Sequence, residues 1–106
     1  MPRVTINNRA APQWDAVIES RVSVVLGSVF IRIARLDIEF DQGVRGSPEA
    51  YSCKLRLTES KGATQQIRND QSDGAMAIEG ALGRARRALI RAKRDRAPMR
   101  RQDSAY

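Results

Sequence analysis

Apolar and polar positions along this chain alternate with two different periods, and the switches between them lay out six elements. "RVTIN" (3–7) alternates and is β-branched, which predicts a short first strand. Pro12 suits the first turn of a helix, and Trp14, Ile18, Val22 and Val25 then recur at helical spacing, with Val17 and Leu26 widening the stripe. An alanine stands at the N-cap position of this helix, and Gly27 is a good stop. After "SVFIRIA" the period becomes two: Leu36, Ile38 and Phe40 alternate with Arg35, Asp37 and Glu39 as in a half-buried strand. "DQGVRGSP" (41–48) is turn chemistry, after which Tyr51, Cys53, Leu55 and Leu57 alternate with Ser52, Lys54 and Arg56. "ESKGA" (59–63) can close a hairpin onto a weak edge strand, "TQQIRN" (64–69). Asp70, Ser72 and Asp73 are helix-capping residues, and from Ala75 to about Arg96 the pattern is helical, with Pro98 ending it. The order βαβββα, with hairpin-connected strands, predicts an α+β two-layer sandwich. Its four-stranded sheet is mainly antiparallel and both helices pack on one face. Residues 1–97 make one domain, and 98–106 a short basic C-terminal tail.

The last helix has two sides. Ala75, Ile78, Leu82, Ala85, Leu89 and Ala92 fall along one of them, a narrow stripe rich in small residues. Arg84, Arg87, Arg91 and Arg94 fall along the other, flanked by Arg86 and Lys93 and extended by Arg96. A charge run is often only a solvated face. Solvated faces mix signs, however, because like charges one turn apart repel by a few tenths of a kcal/mol per pair. From Gly80 to Ala92 there is no acidic residue, so an anionic partner is the economical explanation. Gly80 and Gly83, each costing about 1 kcal/mol relative to alanine inside a helix, either let a phosphate backbone come close or are simply tolerated.

Charge widens this picture to the whole chain. Nineteen Lys and Arg against twelve Asp and Glu give a net charge of +7 and a pI near 10.7, which suits a polyanion, most often nucleic acid. The cations are mostly arginine, which pairs with phosphate through two donors at once. There is no histidine and a single cysteine, Cys53, so neither the usual zinc sites nor an internal disulfide can be assembled, and the commonest general base is missing. These features predict a protein that is not an enzyme and has no metal or cofactor. No apolar run approaches the roughly 20 residues needed to span a bilayer, and no secretory signal opens the sequence, so the expected location is the cytoplasm.

Other positions carry less. Lys54, Arg56 and Arg68 should project from the sheet face away from the helices, as a solvated face would. Trp14, Tyr51 and Cys53 fit their apolar periods and read as core. Glycine-rich 43–46 lacks the helix-opening context of a phosphate loop. Asp37 and Glu39 share one strand face, but nothing forms a pocket around them.

The order βαβββα together with "SDGAMAIEGALGRARRALIR" resembles the ribosome hibernation promoting factor and ribosome-associated inhibitor A family. In that family the last helix opens with an acidic residue, an aromatic and Ala-Ile-Asp before turning basic. Here Asp73, Ala77 and Ile78 match, while Ala75 replaces the aromatic and Glu79 the Asp. "IARLDIEFDQGVRG" (33–46) is similar to the family's second strand and following loop, with Gln42 for the common Asn, and the resemblance covers residues 3 to 96. It implies a short-form factor, monomeric when free, that enters the 30S subunit and covers the mRNA channel and tRNA sites under starvation or in stationary phase. By position, Arg84, Arg87, Arg91 and Arg94 would grip 16S rRNA, with no membrane and no small-molecule substrate involved. Four phosphate contacts predict a slope of log affinity on log salt of roughly −3 to −4. Two alternatives stand beside this reading. A general module for double-stranded or structured RNA is one, although the double-stranded-RNA-binding order, αβββα, lacks the strand "RVTIN". The other is an adaptor whose basic face docks an acidic protein.

Overall fold

The computed structural model describes the backbone of residues 2–43 and 46–104, and side chains as far as Arg91. The elements are β1 (Arg3–Asn8), α1 (Trp14–Leu26), a 3-10 segment (Gly27–Arg32), β2 (Ile33–Gln42), β3 (Tyr51–Glu59), β4 (Thr64–Gln71) and α2 (Gly74–Ser104). One sheet holds the strands in the order β1-β2-β3-β4. The helical crossover through α1 lets β1 and β2 run in the same direction, Val4 opposite Leu36 and Ile6 opposite Ile38. The direct connections reverse the chain, so β2–β3 and β3–β4 are antiparallel. The α+β sandwich is as the periodicity predicts, with one parallel pair in a mainly antiparallel sheet and β4 at an edge.

Period-two alternation places Leu36, Ile38 and Phe40 of β2 and Cys53, Leu55 and Leu57 of β3 on one face, where all are buried. Ile18, Val22 and Leu26 of α1 close the core from one side. α2, which lies over β3 and β4 and beside α1, closes it from the other. At one end Trp14 meets Phe40 and Tyr51 at ring-centroid distances of 5.1 and 5.6 Å, so these aromatics are core, as expected. α2 begins at Gly74, where any Cβ would fall 2.7 Å from the Trp14 ring. Asp73 caps the helix, its Oδ1 accepting the Ala75 N–H at 2.9 Å. Burial pushes the Cys53 thiol up to about 12, so it stays protonated and unreactive.

Three local expectations are corrected, and a fourth gains a detail. The N-cap of α1 is Gln13, with no side-chain cap, not an alanine. Gly27 does stop α1, as its C-cap, although with φ −54° it stays right-handed and the chain tightens into the 3-10 segment. On α2, Ala75 is exposed, and Ala77 and Ala81 are buried beside Ile78, Leu82, Ala85 and Leu89. The buried face is broad because α2 meets two walls, the sheet and α1, while Ala92 lies outside the described side chains. Finally, α2 continues past Pro98 to Ser104. Proline's fixed φ is itself helical and its cost is local, and Met99, Arg100, Arg101 and Gln102 after it are good helix formers.

Candidate nucleic-acid interface

The basic face of α2 is only as well placed as the helix that carries it, and a buried amide helps fasten that helix to β4. Asn69 sits at an inward position of β4 and is 5% exposed. Its Nδ2 donates to the carbonyl oxygens of Met76 and Ala77, both at 3.1 Å, and its Oδ1 accepts from Gln71 at 3.3 Å. This arrangement requires Gly80, where an added Cβ would lie 2.2 Å from Nδ2 and 3.0 Å from the amide carbon. Gly80 therefore makes room for the Asn69 amide where α2 docks onto β4. A Cβ at Gly83 would meet the Arg87 guanidinium at 3.3 Å, so Gly83 gives room to the basic row itself. The sequence signal for the Asn69 contact was a polar residue at an inward strand position facing a helix glycine. It becomes readable only once the two elements are known to be neighbours.

Arg84, Arg86, Arg87 and Arg91 are all exposed. None of the four pairs with a carboxylate among the described residues; Arg84 Nη1 donates to the Arg68 carbonyl oxygen at 3.0 Å. Glu79, the last acid before the basic run, is ion-paired with Arg21 of α1. Arg86 follows Glu79 by seven residues and shares that α1-facing side of the helix, whereas Arg84 leans over the β4 edge. Arg87 and Arg91 lie between them. The structure thus brings these four cations onto one docked helix and spreads them wider than a single line. The side chains of Lys93, Arg94 and Arg96 lie outside the described residues.

The sheet face away from the helices is a second basic surface of another kind. Thr5, Asn7, Asp37, Glu39, Lys54, Arg56, Gln66 and Arg68 line an open cleft there. The register sets Asp37 opposite Arg56 and Glu39 opposite Lys54. Arg35 bonds Asp37 at 3.0 Å, Arg68 bonds Asp70 at 3.0 Å, and Arg9 meets Asp41 at 3.4 Å. The Thr5 hydroxyl, then Arg35 and Arg56, hold the Asp37 carboxyl below the usual carboxylate range. The Asp70 hydrogen bonds hold the Arg68 guanidinium above its ordinary value. Asp37 and Glu39 do line a cleft, but one in which each faces a cation.

Among the described residues no group of three His, Cys, Asp or Glu side chains could hold a metal ion. No described helix is long and apolar enough to cross a membrane. Arg84, Arg86, Arg87 and Arg91 together present an exposed, acid-free set of guanidinium groups whose geometry suits an array of phosphates.

No family model matches the sequence, and no curated protein matches it. The fold is shared with solved structures. A ribosomal subunit interface protein from Coxiella burnetii superposes with a TM-score of 0.67 at 11% identity, over 86% of this chain and 97% of that one. The N-terminal domain of Protein Y from Thermus thermophilus superposes with a TM-score of 0.65 at 10% identity, over 86% and 98%. At these identities the likeness is one of fold.

Proposed function

We propose that this chain is a ribosome-associated factor that binds the small subunit through 16S rRNA, covers the mRNA and tRNA sites and silences translation under starvation or in stationary phase. The observation that carries the reading is the acid-free row on α2: Arg84, Arg87 and Arg91 stand exposed on a docked helix, with no carboxylate partner among the described residues. Two proteins of the same fold support it by their names, a ribosomal subunit interface protein and Protein Y. In this reading Lys93, Arg94 and Arg96 continue the row, Arg86 extends it toward α1, and residues 98–106 add charge beyond the domain at 1–97.

Such a role needs no catalytic group. Occupying the tRNA path blocks translation by exclusion, and affinity comes from phosphate neutralisation with release of condensed counterions. Guanidinium groups held on a rigid helix recognise the shape of folded RNA more than its bases. Sucrose-gradient sedimentation of a stationary-phase lysate tests the reading: the protein is expected in the 30S and 70S fractions. Its confinement to the top of the gradient overturns it. Binding to free duplex RNA as tightly as to 30S subunits replaces it with a general RNA-binding module.

A further inference from the structure

The contact between α2 and β4 is a seam of two steps. Gly80 and Arg84 are one turn apart on the helix, and Asn69 and Arg68 are neighbours on the strand. The first step is the Asn69 amide seated beneath Gly80. The second is the hydrogen bond from Arg84 Nη1 to the Arg68 carbonyl oxygen, 3.0 Å. That carbonyl points off the sheet for a reason set at the hairpin. Glu59 N–H donates to Ala63 O at 2.8 Å, so this pair is hydrogen-bonded, and bonded pairs alternate along an antiparallel ladder. Leu57–Gln65, Leu55–Ile67 and Cys53–Asn69 are then the bonded pairs, and Gln66, Arg68 and Asp70 turn both N–H and C=O away from β3. The main-chain N–H of Arg68 therefore faces the same free edge as the carbonyl that Arg84 holds.

We infer that this seam is a seat for one phosphate of the RNA backbone, made by the remaining guanidinium donors of Arg84 and the edge N–H of Arg68. The inference rests on the reading of α2 as the RNA-binding face and says where on that face the contact is preorganised. Arginine carries five donors in a rigid plane, so one bond to a carbonyl orients the plane and leaves the others available. A tethered side chain has already surrendered rotamer freedom that Arg87 and Arg91, without described partners, must still lose on binding. The Arg68 side chain does not compete for the seat, because Asp70 holds its Nε at 3.0 and 3.2 Å on the open sheet face. A lysine at position 84 could hold the carbonyl or meet the phosphate, but its ammonium is a point donor that cannot bridge the two as a planar fork does.

The test measures affinity for purified 30S subunits in Arg84→Lys, Arg84→Ala, Arg87→Lys, Arg87→Ala and Arg91→Ala, each confirmed folded by its melting curve. It is paired with amide hydrogen exchange over 64–71. At Arg87, lysine is expected to recover most of what alanine loses. At Arg84, lysine should recover less than half of what alanine loses, alanine binding about tenfold more weakly than the parent. Exchange over 64–71 should slow on binding in the parent protein and not in Arg84→Lys. Recovery of half or more by lysine at position 84 overturns the seat and leaves Arg84 an ordinary surface charge. Unchanged 30S affinity in Arg84→Ala combined with self-association also overturns it, showing that Arg84 merely shields an open strand edge. If Arg84→Ala, Arg87→Ala and Arg91→Ala all bind as the parent does, the reading of α2 itself falls.

Discussion

The outer side of α2 and the open face of the sheet are both rich in arginine and lysine, and they differ in where the carboxylates stand. On the sheet, β2 sets Asp37 and Glu39 directly across from Arg56 and Lys54, and Asp70 holds Arg68 on β4. On α2 no acid occurs between Gly80 and Ala92, and Glu79 just before that stretch is engaged by Arg21. Exposed opposite charges set across from one another, or paired as Arg68 and Asp70 are, add little stability. They do cancel the local field, and a phosphate approaching them meets carboxylates as well. An unpaired guanidinium exchanges only water and counterions for phosphate. Net charge suits a polyanionic partner for the whole molecule, and in the proposed reading the absence of carboxylates marks α2 as the face that meets it.

That contrast can be broken most directly by mutation of each face in turn. Converting Arg84, Arg87 and Arg91 together to alanine is expected to lower 30S affinity by about a hundredfold or more and to flatten the log–log salt slope by roughly three. The double variant Lys54→Ala/Arg56→Ala should stay within about twofold of the parent. Comparable losses from both would mean that pairing does not discriminate between the faces, and titrations at several salt concentrations read both quantities. A next, smaller effect sharpens the role of the docking beneath the row. Gly80→Ala drives a methyl into the Asn69 amide and should cost about 1–3 kcal/mol as an overpacked contact, outweighing the gain of about 1 kcal/mol in helix propensity. Thermal unfolding should show a lower Tm; a raised Tm would mean that Asn69 moves aside without loss.

The smallest effect concerns the paired face. Because Asp37 has a folded-state pKa below its unfolded value of 3.8, its stabilising contribution is present above pH 3.8 and lost as pH falls through the lowered value. Asp37→Asn should therefore remove part of the acid-induced loss of stability and leave 30S affinity at neutral pH unaltered. Urea unfolding at several acidic pH values checks the first expectation, and an unaltered acid limb would contradict it.

Much of this architecture was legible because it rests on near neighbours in the chain. Leu36, Ile38 and Phe40 alternate with polar residues, and that alone puts them on one sheet face. Arg84, Arg87 and Arg91 share a broad helical side through 3.6-residue geometry. What the chain pattern left open needed a second element. Gly80 falls by angle near the arginines, and nothing in residues 74–91 reveals that Asn69 occupies the space where its side chain would be. Ala75 satisfied the helical period and is exposed, whereas Ala77 and Ala81 are covered because they lie on the side of α2 that leans onto β4, nearer to Arg84 than to Glu79.

The order of elements, the single core, the excess of positive charge and its concentration on the last helix follow from the sequence by itself, since periodicity and charge order are properties of adjacent residues. Which cations are neutralised, how closely α2 approaches β4, and that Arg84 reaches the Arg68 carbonyl were decided by the tertiary structure alone. Packing and electrostatic forces depend on separation in space, and residues 68 and 84, distant along the chain, become neighbours only when the helix lies down on the sheet.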